Sequence, residues 1–256
     1  VSRALFVSDI HISSPHDSRA GLFRRFIEKC RQDPPAHLFL VGDIFDLWVA
    51  DRSFFVEAYQ PLIDELLQLK HLGTEIHYFE GNHDLDLRLY WQHKLGFDVQ
   101  DSAAFFELYG RCVRVEHGDQ MDPEDRGYLL LRWFLRTAFM RFLGRALPNR
   151  WVRWIGRRAS SASRDYTTQV KVASDEQVRA KIRDHALRVY PEKPFDLLLS
   201  GHVHVREDSE LGVSGRKVRC VNLGTWLKEP LVFELKSEGG RLVAVEDLLR
   251  EASTLG

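Results

Sequence analysis

The chain is poor in the features that staple small folds together. It has three cysteines in 256 residues, Cys30, Cys112 and Cys220, an odd number with no close pair. That spacing offers neither a disulfide framework nor a cysteine zinc site, and a reducing compartment is the simpler setting. There is no internal repeat and no low-complexity linker, and the opening run "RALFVSDIH" reads as a strand, so a charged-then-apolar secretory leader is not expected. Long uncharged apolar runs are missing too. The best candidate for a span, residues 129–147, carries Arg132, Arg136, Arg141 and Arg145. At roughly 2.5–3.5 kcal/mol for each arginine near a bilayer centre, a span there costs on the order of 10 kcal/mol. The segment is not expected to cross a membrane.

One stretch lacks charge of one sign. Residues 126–164 contain ten arginines and no lysine, aspartate or glutamate, whereas the formal charge of the whole chain is −1. The remainder therefore carries −11, a polarity that the near-neutral pI of 6.9 conceals. The same region is greasy: residues 129–158 hold three of the six tryptophans.

What is present elsewhere reads as a globular α/β core. The hydrophobic fraction is 44% and the charged fraction 29%. "ALFVSD", "HLFLVGD" and "EIHYFEGNHD" have the apolar runs of buried strands, and helix-like stretches separate them, one from about Ser53 to Leu72. Such alternation predicts βαβ units and a largely parallel sheet. "AAFFELYGRCVRVEHGD", "REDSELGVSGRKVRCVNLGTW" and "LVFELKSEGGRLVAVEDLL" predict hairpins around glycine-containing turns, and "FDLLLSGHVH" a further buried strand. The organisation expected is a core over residues 1–123 and 186–256, interrupted by a helical insertion at 124–185.

Polar residues gather where the strands end: "SDIH", "GDIFD", "GNHD", "HGD" and "GHVH". Open α/β sheets bind ligands beyond the carboxyl ends of their strands, so these sites can converge. Single histidines elsewhere, at 16, 37, 71, 77, 93 and 185, are read as packed, hydrogen-bonded side chains. The five motifs together suit a dinuclear metal centre. Carboxylate, imidazole and amide donors without thiolate favour Mn, Fe or Zn, and a carboxylate can bridge two ions about 3.5–4 Å apart. Asp43 is the natural bridge. His83 is expected to face the phosphoryl group, with Asp84 orienting its ring.

In order and spacing, the set Asp-x-His, Gly-Asp-x-x-Asp, Gly-Asn-His-Asp, His-Gly-Asp and Gly-His-x-His resembles the calcineurin-like metallophosphoesterases. The resemblance implies a four-layer αββα sandwich. It also implies one metal on Asp9, His11, Asp43 and His204, and another on Asp43, Asn82, His117 and His202. A scaffold that had lost catalysis would lack some of these ligands, and all are present. The chain is more specifically similar to the UDP-2,3-diacylglucosamine hydrolases of lipid A biosynthesis, through "GDIFDLWVAD" and through Asp125, Gly127 and Tyr128 in "HGDQMDPEDRGY". Those hydrolases have a helical insert here that caps the site and receives acyl chains.

The resemblance implies hydrolysis of the pyrophosphate of UDP-2,3-diacylglucosamine to the acylated sugar 1-phosphate and UMP, with two divalent ions, Mn²⁺ first and Fe or Zn as alternatives. Asp125, Tyr128, Arg157, Arg158, Ser163 and Arg164 are expected to meet the substrate. One departure matters: His83 stands where that family usually has arginine. A phosphate leaving group needs no proton, whereas an alcohol benefits from an acid, so His83 also admits a phosphodiesterase or phosphatase acting on another lipid or nucleotide ester. The arginine-rich insert is expected to act as a lid, its aromatics meeting acyl chains and its arginines meeting anionic headgroups and substrate phosphates. The expected partners are thus a lipid-linked nucleotide-sugar and an anionic membrane surface, at the cytoplasmic face of the inner membrane. Nucleic acid is not expected, because the −11 body repels it, and no obligate protein partner is expected.

Overall fold

The structure, a computed structural model, describes residues 2–152 and 175–250. Strands that are apolar on both faces need a sheet covered on both sides. β1 (Ala4–Val7), β2 (His37–Val41) and β4 (Glu75–Phe79) meet that condition; they run parallel and are buried along nearly their whole length. Helices make the crossings. α1 (Ser18–Gln32) links β1 to β2, and the Asp17 carboxylate caps its first turn by accepting the Arg19 N–H at 2.9 Å. A short β3 (Trp48–Val49) and α2 (Ser53–His71) link β2 to β4, and β5 (Asp84–Leu85) pairs with β3.

Two β-rich layers result. β6 (Asp98–Gln100) extends the first sheet at one side. β12 (Leu231–Lys236) and β13 (Gly239–Ala244) extend it at the other, giving the order β13-β12-β1-β2-β4-β6. β7 (Ala104–Leu108), β8 (Arg111–Val115), β9 (Leu197–Ser200), β10 (Arg206–Val213) and β11 (Arg216–Leu223) form the second, in the order β10-β11-β9-β8-β7. The expected hairpins form. Tyr109-Gly110 and Ser214-Gly215 turn with positive φ at both residues, which matches the right-handed twist of the strands they join.

Phe6, Phe39, Phe79 and Phe233 meet Val113, Val115, Leu199 and Val221 between the sheets, and Phe6 stacks on Phe39 with centroids 4.3 Å apart. The outer face of the first sheet packs on α1, α2 and the terminal α6 (Val245–Arg250). The outer face of the second packs on α5 (Asp175–Val189). The layers are therefore α, β, β, α, the sandwich that the motifs implied.

Between β8 and α5 the chain forms α3 (Arg126–Leu135) and α4 (Ala138–Ala146). Residues 129–147 are thus two helices. Thr137 breaks them, its hydroxyl accepting the Met140 N–H to start the second. Neither helix has a buried residue, and Leu130, Trp133, Phe139 and Phe142 are each about two-thirds exposed. Among the described residues, no helix is long and apolar enough to cross a membrane.

Charge holds these helices to the body. Arg132 Nε lies 2.6 Å from Asp119 Oδ2, Arg136 Nε 3.7 Å from Glu80 Oε2, and Arg145 Nη2 2.6 Å from Asp86 Oδ2. In return the core's Arg52 donates to the carbonyls of Gly144 and Leu147 at the end of α4. Arg132 and Arg136 are thus largely covered against core carboxylates, whereas Arg145 pairs with Asp86 but stays exposed. Arg141 and Arg150 are exposed.

Candidate metal centre

The five motifs sit on the loops that leave the strands. Asp9 and His11 follow β1, Asp43 follows β2, Asn82 and His83 follow β4, His117 follows β8, and His202 and His204 follow β9. These loops turn sharply. Asp9, His11, Asp43, His202 and His204 all have positive φ, between 50° and 70°. Each such residue costs on the order of 1–3 kcal/mol, a strain that clusters at functional sites. Hydrogen bonds sustain it: Asp9 N–H donates to Gly42 O at 3.1 Å, His11 N–H to Asp43 O at 3.0 Å, and His202 N–H to Asp9 Oδ2 at 2.9 Å.

Two glycines make room. Gly42 has φ +80°, and a Cβ there would strike the His117 ring. A Cβ at Gly81 would strike Asp43 Oδ1. Both loops can approach each other only because these positions carry no side chain.

The donors fall into two groups. In the first, His204 Nε2 lies 3.1 Å from Asp9 Oδ1 and 3.0 Å from His11 Nε2. In the second, Asn82 Oδ1 lies 3.2 Å from His117 Nε2 and 2.9 Å from His202 Nδ1. Asp43 Oδ2 stands between them, 3.9 Å from His11 Nε2 and 3.6 Å from His117 Nε2. Its other oxygen accepts the His83 N–H at 3.0 Å. The arrangement can hold two cations with one carboxylate oxygen shared. The His117 Nδ1–H donates to Val41 O at 3.0 Å, which turns Nε2 toward the donor cluster, the orientation a metal-ligating histidine needs.

Electrostatics are consistent with cation binding. Burial pushes His11 down to about 4, against the pull of Asp43 and Asp9. Burial and the neighbouring His117 push His202 to about 4 as well. Both are neutral donors near pH 7. His117 differs: burial opposes its charge, but Asp43, Asp9 and Asp119 raise it to about 9. Burial would also raise Asp43, yet His117, His83 and His11 hold it well below the usual carboxylate range.

His83 is buried beside this cluster, its ring centroid 4.9 Å from that of His11. Its Nδ1–H donates to the Asp46 carbonyl at 2.9 Å, leaving Nε2 as the nitrogen that can carry or accept a working proton. The expectation that Asp84 orients this ring is overturned. Asp84 accepts instead from Asp43 N–H, Ile44 N–H, Gly81 N–H and Tyr78 O–H, all at 2.8–3.0 Å. It is fully buried and anchors the loops that carry Asp43 and Asn82.

The expected substrate residues are distributed unevenly. Asp125 caps α3, accepting the Tyr128 N–H at 2.9 Å. Tyr128 lies with its ring 5.7 Å from that of His202 and its hydroxyl 3.2 Å from Asp119 Oδ2. Arg157, Arg158, Ser163 and Arg164 lie outside the described residues. Sequence reasoning missed the roles of Arg132 and Arg136. Their signal was the four-residue spacing from Tyr128, which puts all three on the side of α3 that faces Asp119.

The chain is similar to known proteins. A UDP-2,3-diacylglucosamine hydrolase of Pseudomonas aeruginosa (strain UCBPP-PA14) is 27% identical over 242 residues, covering 93% of this chain and 96% of its own. One from Cellvibrio japonicus (strain Ueda107) is 29% identical, covering 92% and 95%. Among solved structures, an archaeal phosphodiesterase is 15% identical and covers 94% of this chain and 99% of its own, with a TM-score of 0.48. The family model described as calcineurin-like phosphoesterase matches residues 2–206, the stretch that supplies every donor of both groups, and the chain belongs to that family.

Proposed function

We propose that the chain is a dinuclear-metal hydrolase that splits the pyrophosphate of UDP-2,3-diacylglucosamine into acylated glucosamine 1-phosphate and UMP. The observation that carries the metal chemistry is the place of Asp43 Oδ2, within 3.9 Å of a donor in each group. Asp9, His11, Asp43 and His204 would hold one ion, and Asp43, Asn82, His117 and His202 the other, with Mn²⁺ the leading candidate and Fe or Zn alternatives. Two such ions supply Lewis-acid activation of the phosphoryl group and of the attacking water. His83, its ring 4.9 Å from that of His11, would donate through Nε2 to a phosphoryl or leaving oxygen. Tyr128 on α3, its ring 5.7 Å from that of His202, would meet the substrate.

The substrate class rests on the relatives' names and on the helices beside the centre. Trp133, Phe134, Phe139 and Phe142 are exposed, while Arg132 and Arg136 tie the same segment to Asp119 and Glu80. That suits a cap whose inner side meets the phosphates and whose outer side meets acyl chains and a bilayer. Arg141 and Arg150 would add attraction to anionic lipid at the inner membrane's cytoplasmic face, about 1 kcal/mol each. A second reading is favoured by His83, whose proton would assist an alcohol leaving group. It makes the chain a phosphodiesterase or phosphatase on another lipid or nucleotide ester. Purified protein with Mn²⁺ tested against UDP-2,3-diacylglucosamine, a phosphodiester and a phosphomonoester separates the two. The first reading expects UMP release to exceed the other reactions by orders of magnitude. Turnover of the simple esters alone would leave the second.

A further inference from the structure

A separate cluster of side chains of metal-ligating type lies at the opposite end of the same strands. His37 opens β2 and Glu75 opens β4, paired in register, and His77 follows two residues later on the face that carries Glu75. The donors of the metal centre leave the other ends of these strands, about 20 Å away along β2 at 3.3 Å per residue. The catalytic reading uses none of this cluster.

The geometry points to a mononuclear zinc site formed by His37, His77 and Glu75. His37 Nδ1 lies 3.2 Å from His77 Nε2 and 3.4 Å from Glu75 Oε2, and His77 Nε2 lies 3.9 Å from that same oxygen. A tetrahedral ion with bonds of 2.0–2.2 Å needs donors about 3.3–3.6 Å apart, so two edges lie within about 0.1 Å of that range and a small rotation of the exposed Glu75 closes the third. The three donor atoms come from three side chains on two adjacent strands, and solvent at the strand ends would supply the fourth position.

The surroundings have the form of a metal site's support. Asp98 on β6 lies opposite His77 and its Oδ2 is 2.8 Å from His77 Nδ1. The carboxylate draws the ring's proton to Nδ1 and leaves the Nε2 lone pair pointing at His37 and Glu75. Gln100 Nε2 donates to the other oxygen of Asp98 at 2.7 Å, which fixes the carboxylate in turn. The His77 ring itself is held: it stacks on Phe39 at 4.4 Å and meets Phe106 edge-on at 4.9 Å. Two imidazoles and a carboxylate suit Zn²⁺ better than Mn²⁺, since affinity for nitrogen-rich sites rises from Mn²⁺ toward Zn²⁺. An ion there would cross-link β2 to β4 where the inter-sheet core opens to solvent.

The test uses His37→Gln and Glu75→Gln, both at the solvent edge, in the full chain and again with Asp43→Ala to weaken the catalytic centre. Each protein is stripped with chelator, dialysed against buffered Zn²⁺ and assayed for bound metal and thermal midpoint. The expected result is one fewer Zn²⁺ per chain for either variant than for its parent, in both backgrounds. In the Asp43→Ala parent, Zn²⁺ at a hundredfold excess over its Kd should raise the midpoint by about 5–10 °C. Either edge substitution should abolish that rise. Equal zinc content in parents and variants would overturn the site, as would a midpoint rise that survives both substitutions.

Discussion

Asp84 Oδ1 accepts the backbone N–H of Asp43 at 3.0 Å, and Asp84 Oδ2 accepts that of Ile44 at 2.9 Å. A fully buried carboxylate thus holds the loop of the bridging carboxylate by its main chain. Burial and the neighbouring Asp43 charge raise the pKa of Asp84, and Tyr78 together with the surrounding N–H donors offsets that penalty. Asp84→Asn turns one acceptor oxygen into a donor that faces N–H groups. It should destabilise the fold by about 2–4 kcal/mol, whereas Tyr78→Phe should cost about 1 kcal/mol. Urea unfolding of the two variants checks the order; equal, small losses would contradict it.

His83 touches the site through Nε2, since Nδ1 is committed to the Asp46 carbonyl. His83→Ala should lower turnover by about 10²–10⁴ while metal content stays at the parent's level. A leaving-group series then assigns the role. Rescue by activated esters marks a proton donor, and a uniform loss marks charge stabilisation. Unchanged turnover on every substrate would remove His83 from the reaction.

Metal binding should release a proton. His117 is raised to about 9 in the metal-free protein, so near neutrality it carries a proton that a cation must displace. His11 and His202, pushed to about 4, are already neutral there. Apparent affinity for Mn²⁺ should therefore rise about tenfold per pH unit from pH 6 to 8, because the proton lost on binding becomes cheaper to remove as pH rises. Calorimetry in two buffers of different ionisation heat measures the proton count. A count near zero, with affinity flat across this range, would show that His117 is not displaced.

The buried pair of Arg132 and Asp119 is the firmest tie between α3 and the core, at 2.6 Å with both side chains largely covered. Arg132→Ala leaves Asp119 without that partner and should cost about 3 kcal/mol. Arg141→Glu, on the exposed side, should leave stability within about 0.5 kcal/mol and weaken binding to anionic vesicles. Thermal unfolding and vesicle sedimentation separate the two effects. If Arg141→Glu left vesicle binding unchanged at low salt, the exposed arginines would have no membrane role.

Most of the sandwich was legible because its strands are short apolar runs between glycines and polar residues. The metal donors were legible because each closes such a run. Asp84 was not, since adjacency in "GNHD" suggests contact with His83, while the turn at Gly81 directs its carboxylate toward Asp43 N–H instead. Nor did periodicity show the break in residues 129–147, where apolar residues continue through Thr137 and only its capping hydroxyl marks a new helix. The arginines paired with core carboxylates escaped for a different reason. Their partners Glu80, Asp86 and Asp119 lie on separate loops, and only the fold brings them together. Likewise His37 and His77 each read as an isolated packed ring, and strand pairing makes them neighbours.

The most direct test of the account is Mn²⁺ stoichiometry in Asp43→Ala beside the parent and His204→Ala, each stripped and reloaded at matched free metal. Two ions per chain are expected in the parent, fewer in His204→Ala with the Asn82 group still filled, and none in Asp43→Ala, because one oxygen serves both groups. Two Mn²⁺ ions retained by a folded Asp43→Ala protein would contradict the shared-carboxylate centre.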